Sequence, residues 1–168
     1  MLYGALEDVP EGLRPDLRPA MSLVAEIALL KPVRAGEAVS YGGTWRAPED
    51  THLALAPVGY ADGYPRALSN RAQVLVHGRR CPVVGRVCMD SLLIDVGPEP
   101  ECAVGDEVVL LGQVGGERIT VEELAHRAGS ITQEIMARMG SRLPRVYRHE
   151  EHRHEPGQGA GSRSGHDC

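Results

Sequence analysis

Tyr41, in the run Ala38-Val39-Ser40-Tyr41-Gly42-Gly43-Thr44-Trp45, is a phenol set on a glycine turn. Two further segments place polar side chains beside glycines: Val58-Gly59-Tyr60-Ala61-Asp62-Gly63-Tyr64-Pro65-Arg66 and Gly85-Arg86-Val87-Cys88-Met89-Asp90. The chain has no Phe, five Tyr and one Trp, and four of these six aromatics fall between Tyr41 and Tyr64. Glycine next to tyrosine describes a backbone that turns sharply or admits a ligand closely, with the phenol projecting from the turn. Such a phenol acts as a general base only when positive charge pulls it below its ordinary value of about 10 and it lies within reach of a carbon acid. The Met89-Asp90 step, expected on a separate strand, adds a backbone N–H and a carboxylate. Each tyrosine taken alone reads more readily as a corner residue holding a β-domain together; the three segments together reverse that preference in favour of chemistry.

Other chemistries have weaker claims. Cys81, Cys88, Cys102 and Cys168 form no C-x-x-C pair and have no histidine at zinc-ligand spacing, so they read as free thiols. Lys31 is the single lysine against seventeen arginines, and it falls in an apolar alternation followed by Pro32, where it reads as structural. A net charge of -5 excludes a broadly basic nucleic-acid binder. No apolar run approaches the length of a membrane span, and Met1-Leu2-Tyr3-Gly4 lacks a basic and apolar leader, so the expected location is cytoplasmic.

The elements that must position these residues are mostly short strands. Residues 1–20 read as a connector from an upstream domain. Residues 21–33 (MSLVAEIALLKPV) alternate as one long strand with Leu23, Ala25, Ile27 and Leu29 on one side. Val39–Trp45 and His52–Val58 are predicted to be extended, residues 73–85 form a hairpin around Gly78, Val87–Val96 is a strand, and Glu107–Leu111 is another. Thr120-Val121-Glu122-Glu123 is a capping box with Ile119 and Leu124 as its staple, opening a helix that ends at Gly129. Ser130-Ile131-Thr132-Gln133 repeats the capping signature for a second helix ending at Gly140, and Leu143–Tyr147 is a last short strand. The fold class is therefore mainly β: a compact, barrel-like domain of short strands over residues 21–148, with two short helices near its C-terminus. Residues 149–168 carry no aliphatic side chain larger than alanine and read as a disordered tail; His149, His152 and His154 within it carry no function.

Taken in order, VSYGGTW, VGYADGYPR, VVGRVCMD and the closing RLPRVY resemble the C-terminal β-domain of alanine racemase, over about residues 1–148. The resemblance implies an enzyme that interconverts L- and D-alanine with pyridoxal phosphate and so supplies D-alanine for peptidoglycan. In that family an N-terminal barrel carries the cofactor on a lysine, and a homodimer sets the barrel of one subunit against the β-domain of the other. Carried over, Tyr41 is the base on the L-alanine face, acting in trans; Met89 holds the substrate carboxylate through its backbone N–H; Tyr60 and Asp90 line the entryway. The cofactor delocalises the carbanion, and one base on each face makes inversion possible.

The departures from the family pattern matter equally. The barrel and its lysine-Ala-Asn-Ala-Tyr-Gly motif are absent, so this chain alone is expected to be an inactive half-site. Ser141 stands where many members have a phosphate-binding tyrosine before R-x-P-R. A serine or broader-specificity racemase shares this half of the site. A non-catalytic interaction module predicts instead that Trp45, Tyr60 and Tyr64 form one exposed patch; an oligonucleotide-binding barrel would need a basic aromatic face, for which Arg79 and Arg80 are the only close pair in the strands.

Overall fold

The computed structural model describes residues 19–147; the expected tail and all but the last two residues of the expected connector lie outside them. Ten strands precede two helices: β1 (Leu23–Glu26), β2 (Leu29–Val33), β3 (Ala38–Val39), β4 (Trp45–Arg46), β5 (Thr51–Ala56), β6 (Gln73–Val76), β7 (Arg79–Val84), β8 (Leu92–Gly97), β9 (Glu107–Val114), β10 (Glu117–Ile119), α1 (Val121–Ala128) and α2 (Thr132–Arg138). Antiparallel pairing gives one sheet in the order β1-β9-β6-β7-β8-β5-β2, with β10 on β9; β3 and β4 form a separate ribbon. No described helix is long and apolar enough to cross a membrane.

The two ends of that sheet are consecutive pieces of one run of chain. Ile27 still bonds toward β9, donating to Asp106 O at 2.9 Å and accepting from Gly105 N at 2.9 Å, whereas Ala28 N already donates to Leu55 O of β5 at 2.9 Å. The expected long strand over 21–33 therefore changes partners between residues 27 and 28, and its single-sided alternation fails there: Ile27 is buried while Leu29 is half exposed. β7 makes a second corner, pairing with β6 through Pro82 and with β8 from Val83. Strands that switch partners at corners let a sheet wrap on itself. The fold is thus mainly β and barrel-like, as expected, although no hydrogen bonds between β1 and β2 close it.

Inside lie Leu75, Leu92, Ile94, Leu110, Leu124 and Ile135, all fully buried, each contributing about 1.5–3 kcal/mol by leaving water. Leu53 points the other way from Ala54, and with Val33, Ala47 and Val84 it makes a smaller cluster on the opposite face. Val39 and Trp45 of the β3–β4 ribbon pack on that second cluster. This packing seats the ribbon, and with it Tyr41.

Helix α1 follows the local signals. Thr120 Oγ1 accepts from Glu123 N at 3.1 Å, and Gly129 closes the helix in the left-handed region at φ 65°. The reciprocal half of the capping box is not made, because the Glu123 carboxylate turns to Arg80 and Arg127. For α2, Ile131 occupies the cap without a side-chain bond, and Ser130 Oγ contacts Glu134 instead.

Three expected strands differ from what forms. Val39–Trp45 is a tight ribbon turn, with a 3-10 turn at Tyr41–Gly43 between β3 and β4. Val87–Ser91 is a loop: Gly85 at φ 73° carries the chain out of β7, and the Gly85 and Val87 N–H groups go to Asn70 Oδ1 and Ser69 Oγ rather than to a ladder. Leu143–Tyr147 forms no strand. Pro144 removes a ladder donor there, and Val146 and Tyr147 are exposed.

Candidate active site

Tyr41 sits at the tip of the β3–β4 ribbon with its ring 73% exposed. The turn that presents it is sharply bent: Gly42 and Gly43 have φ of 75° and 53°, and Ser40 has φ 62° with ψ 173°. That last combination is almost exclusive to glycine and costs a serine of order 1–3 kcal/mol. Ser40 Oγ bonds both backbone groups of Arg86, donating to its carbonyl at 2.9 Å and accepting from its N–H at 3.0 Å. The Arg86 guanidinium lies along the turn, so close that a Cβ on Gly42 would meet its Cζ at 3.3 Å. Asn70 ties both segments as well, accepting from Gly85 N at 2.6 Å and donating to Thr44 Oγ1 at 3.2 Å.

The loop carrying Met89 is fixed from its other side by residues 59–62. Tyr60 N donates to Cys88 O and Ala61 N to Met89 O, each at 3.0 Å. Gly59 makes this approach possible, since a Cβ there would sit 2.3 Å from Cys88 O. Asp62, 7% exposed, receives Gly59 N at 2.9 Å and faces Arg142 Nε at 3.5 Å. Arg142 then reaches Asp90 at 2.7 Å. Its hydrogen bond to Asp90, with the field of Asp62 behind it, raises the guanidinium above its usual value and keeps it charged.

These loops converge on a depression of about 530 Å³, whose walls include Tyr41, Tyr60, Arg66, Arg86, Met89 and Asp90. All four site residues expected from the sequence thus share one concavity, although Met89 and Asp90 stand on a loop rather than a strand. Among the described residues, the Met89 N–H, the Tyr41 phenol and the Arg66 and Arg86 guanidinium groups have no hydrogen-bond partner. The arrangement offers a phenol, a free backbone donor and two cations to an anionic or polar small molecule.

Sequence reasoning passed over Arg66, Arg86 and Arg142. Arg66 and Arg86 stood inside the quoted motifs beside Pro65 and Gly85, which was a usable signal; Arg142 joins Asp62 and Asp90 only through the folded chain. The exposed patch required by an interaction module does not form: Tyr64 is fully buried and Trp45 packs on the second cluster. Burial in that core pushes the Tyr64 phenol far above its ordinary value, with Glu123 adding to the rise.

The residues present do not fit a complete holder for pyridoxal phosphate. Lys31 projects outward from β2, 62% exposed and paired with Glu37 at 3.5 Å, and the depression has no lysine on its walls. Ser141 is exposed and offers no phenol to a phosphate.

Residues 20–147 match the sequence profile of the alanine racemase C-terminal domain. The alanine racemase of Mycobacterium tuberculosis is 48% identical over 154 residues, 90% of this chain and 40% of that protein; that of Symbiobacterium thermophilum is 50% identical over 131 residues, 78% of this chain and 35% of that protein. Among solved structures, alanine racemase from Bacillus anthracis, with bound L-Ala-P, superposes with a TM-score of 0.82 at 37% identity, covering 88% of this chain and 38% of that one. The enzyme from Streptomyces lavendulae gives 0.74 at 46% identity, covering 80% and 35%. The chain spans about two fifths of the length of the first of these relatives. By profile, sequence and structure alike, the chain belongs to the alanine racemase family, in the part that forms the C-terminal domain.

Proposed function

We propose that this chain supplies one half of an alanine racemase site, with Tyr41 as the base that takes or returns the α-proton on the L-alanine face. The observation that carries the reading is the convergence of Tyr41, Tyr60, Met89 and Asp90 on one depression built from loops far apart in the chain. The phenol is on a turn fastened to the chain leading into the loop that presents the Met89 N–H, so a carboxylate accepting from that N–H has its α-carbon held at a defined place relative to the phenolic oxygen. Tyr60 and Asp90 occupy the rim as entryway residues, with Asp90 held in place by Arg142. The family resemblance assigns pyridoxal phosphate to a facing barrel domain, contributed by a second subunit of a cytoplasmic homodimer, and the depression has no lysine of its own on its walls.

The test is complementation. Mixing or co-expressing this chain with the isolated cofactor-binding barrel of a relative should restore racemisation of L-alanine, while either part alone is inactive. A complex that forms and carries cofactor yet exchanges no α-proton of L-alanine would contradict the reading. Replacing L-alanine by L-serine or L-lysine in the same assay reports the substrate range.

A further inference from the structure

We propose that Ser40 is the positioning residue for Tyr41, its hydroxyl holding the tyrosine turn and the Met89 loop in one frame; the inference rests on Tyr41 being the base. Residue 40 stands at φ 62° and ψ 173°, where glycine would be unstrained. Its side chain is accommodated only because the facing residue is Gly85, where a Cβ would come within 2.5 Å of Ser40 Cβ. Two positions are thus arranged around one hydroxymethyl group.

That group makes a long-range link. Ser40 Oγ donates to Arg86 O at 2.9 Å and accepts from Arg86 N at 3.0 Å, so it takes both polar groups of one residue, as a neighbouring strand would. Its third neighbour is Cys88 Sγ at 4.0 Å, one residue before Met89. The ribbon itself is too short to hold a turn: β3 and β4 have two residues each, well below the length at which a hairpin is stable alone. Glycine at position 40 would suit the backbone better, and serine is better only for the bond to Arg86. The hydroxyl therefore ties the turn that carries the phenol to the chain leading into the Met89 loop, both on the walls of the same depression.

The discriminating variants are Ser40→Gly, which removes the link and the strain together, and Ser40→Ala, which removes the link and keeps the strained backbone. In the ¹⁵N-labelled full chain, Ser40→Gly should leave the melting temperature at or above that of the parent, while the amides of Tyr41, Gly42 and Gly43 gain fast motion by heteronuclear NOE. In the enzyme completed with a barrel, kcat for L-alanine should fall roughly 10–10²-fold, the scale of a displaced reacting group, with KM nearly constant and no further loss on a Tyr41→Phe background. Ser40→Ala should show the same mobility and kinetic loss with a lower melting temperature. Unchanged amide dynamics, or a kinetic loss that adds in full to that of Tyr41→Phe, would overturn the proposal. Full kcat in Ser40→Gly beside a disabled Tyr41→Phe would overturn it alone; normal turnover in Tyr41→Phe would remove the base assignment as well.

Discussion

Two depressions of nearly equal size lie on the described part of this domain, about 590 Å³ beside α1 and about 530 Å³ at Tyr41, and their charged groups are engaged to different degrees. Beside α1, Glu123 holds Arg80 at 2.9 Å and Arg127 at 3.1 Å, Arg80 also reaches Glu117 at 2.8 Å, and Arg127 caps the Arg71 carbonyl at 2.7 Å. At Tyr41 the phenol, the Met89 N–H and two guanidinium groups have no partner among the described residues. Volume does not separate the two here; what differs is the Glu123 ion-pair cluster, although Arg71 and His126 on the same walls have no side-chain partner among the described residues and Asp90 at the Tyr41 depression is paired with Arg142. Charges that satisfy one another stabilise the fold, whereas convergent groups held in place but unsatisfied are available to a ligand.

The sharpest way to break the contrast is at Gly59, which lets the 59–62 turn touch the Met89 loop. Its φ of -147° suits any residue, so Gly59→Ala acts by sterics alone. With a Cβ 2.3 Å from Cys88 O, the loops must separate, and urea unfolding should show a loss of about 3 kcal/mol, at the upper end for overpacking. Parent-like stability would mean the two loops give way freely and do not form a rigid wall.

On the other side, Glu123→Gln should weaken the paired cleft without touching Tyr41. Its carboxylate is mostly buried while Arg80 and Arg127 are about a third exposed, so solvent screening holds the loss to about 1–2 kcal/mol. A complemented racemase with this variant should keep its kcat. Loss of turnover at unchanged stability would show that the two clefts are coupled.

The helical side was the more legible part of the chain for the same reason that it is the more satisfied. The Thr120 cap and the Gly129 stop act within a few residues, so the sequence displays them directly. The strand over residues 21–33 was visible as an alternation, but its exchange of partners at Ile27 and Ala28 depends on Asp106 and Leu55, which no local pattern announces. Val87–Ser91 was misread as strand because its apolar residues run on into Leu92–Ile94; the Val87 N–H is instead captured by Ser69, and the Arg86 N–H just before the loop by Ser40, 46 residues away. Tyr41, Tyr60, Met89 and Asp90 were visible as polar residues in glycine-bearing segments, but their separate roles were legible only through family-like motifs. The Asp62–Arg142–Asp90 strut needed the folded chain.

A smaller effect is expected in the main core, at Tyr64. The Tyr64 hydroxyl is buried and has no hydrogen-bond partner among the described residues, so Tyr64→Phe should change stability by no more than about 1 kcal/mol, in the stabilising direction. A loss of several kcal/mol on thermal melting would reveal a partner for this oxygen.

The smallest is a pH effect at α2. Contact with Ser130 Oγ, followed by the field of Arg138 and its hydrogen bond, lowers the Glu134 carboxyl below its ordinary range. The tether is therefore fully present above the unfolded value of about 4.3 and fades as pH falls through the lower folded value. Far-ultraviolet dichroism of Glu134→Gln should match the parent in acid and show slightly less helix at neutral pH; identical helix content at both would exclude the tether.

The central claim is that the unsatisfied phenol at Tyr41 moves a proton. Tyr41→Phe deletes one exposed oxygen that bonds to nothing among the described residues, so stability should barely change. In the enzyme completed with a barrel, α-deuterium washout should then be followed separately from L- and D-alanine. The account predicts that washout from L-alanine falls by roughly 10²–10⁴-fold, while washout from D-alanine, begun by the base on the barrel, survives better. Equal washout from both enantiomers at parental rates, or loss of both together with the fold, would contradict it.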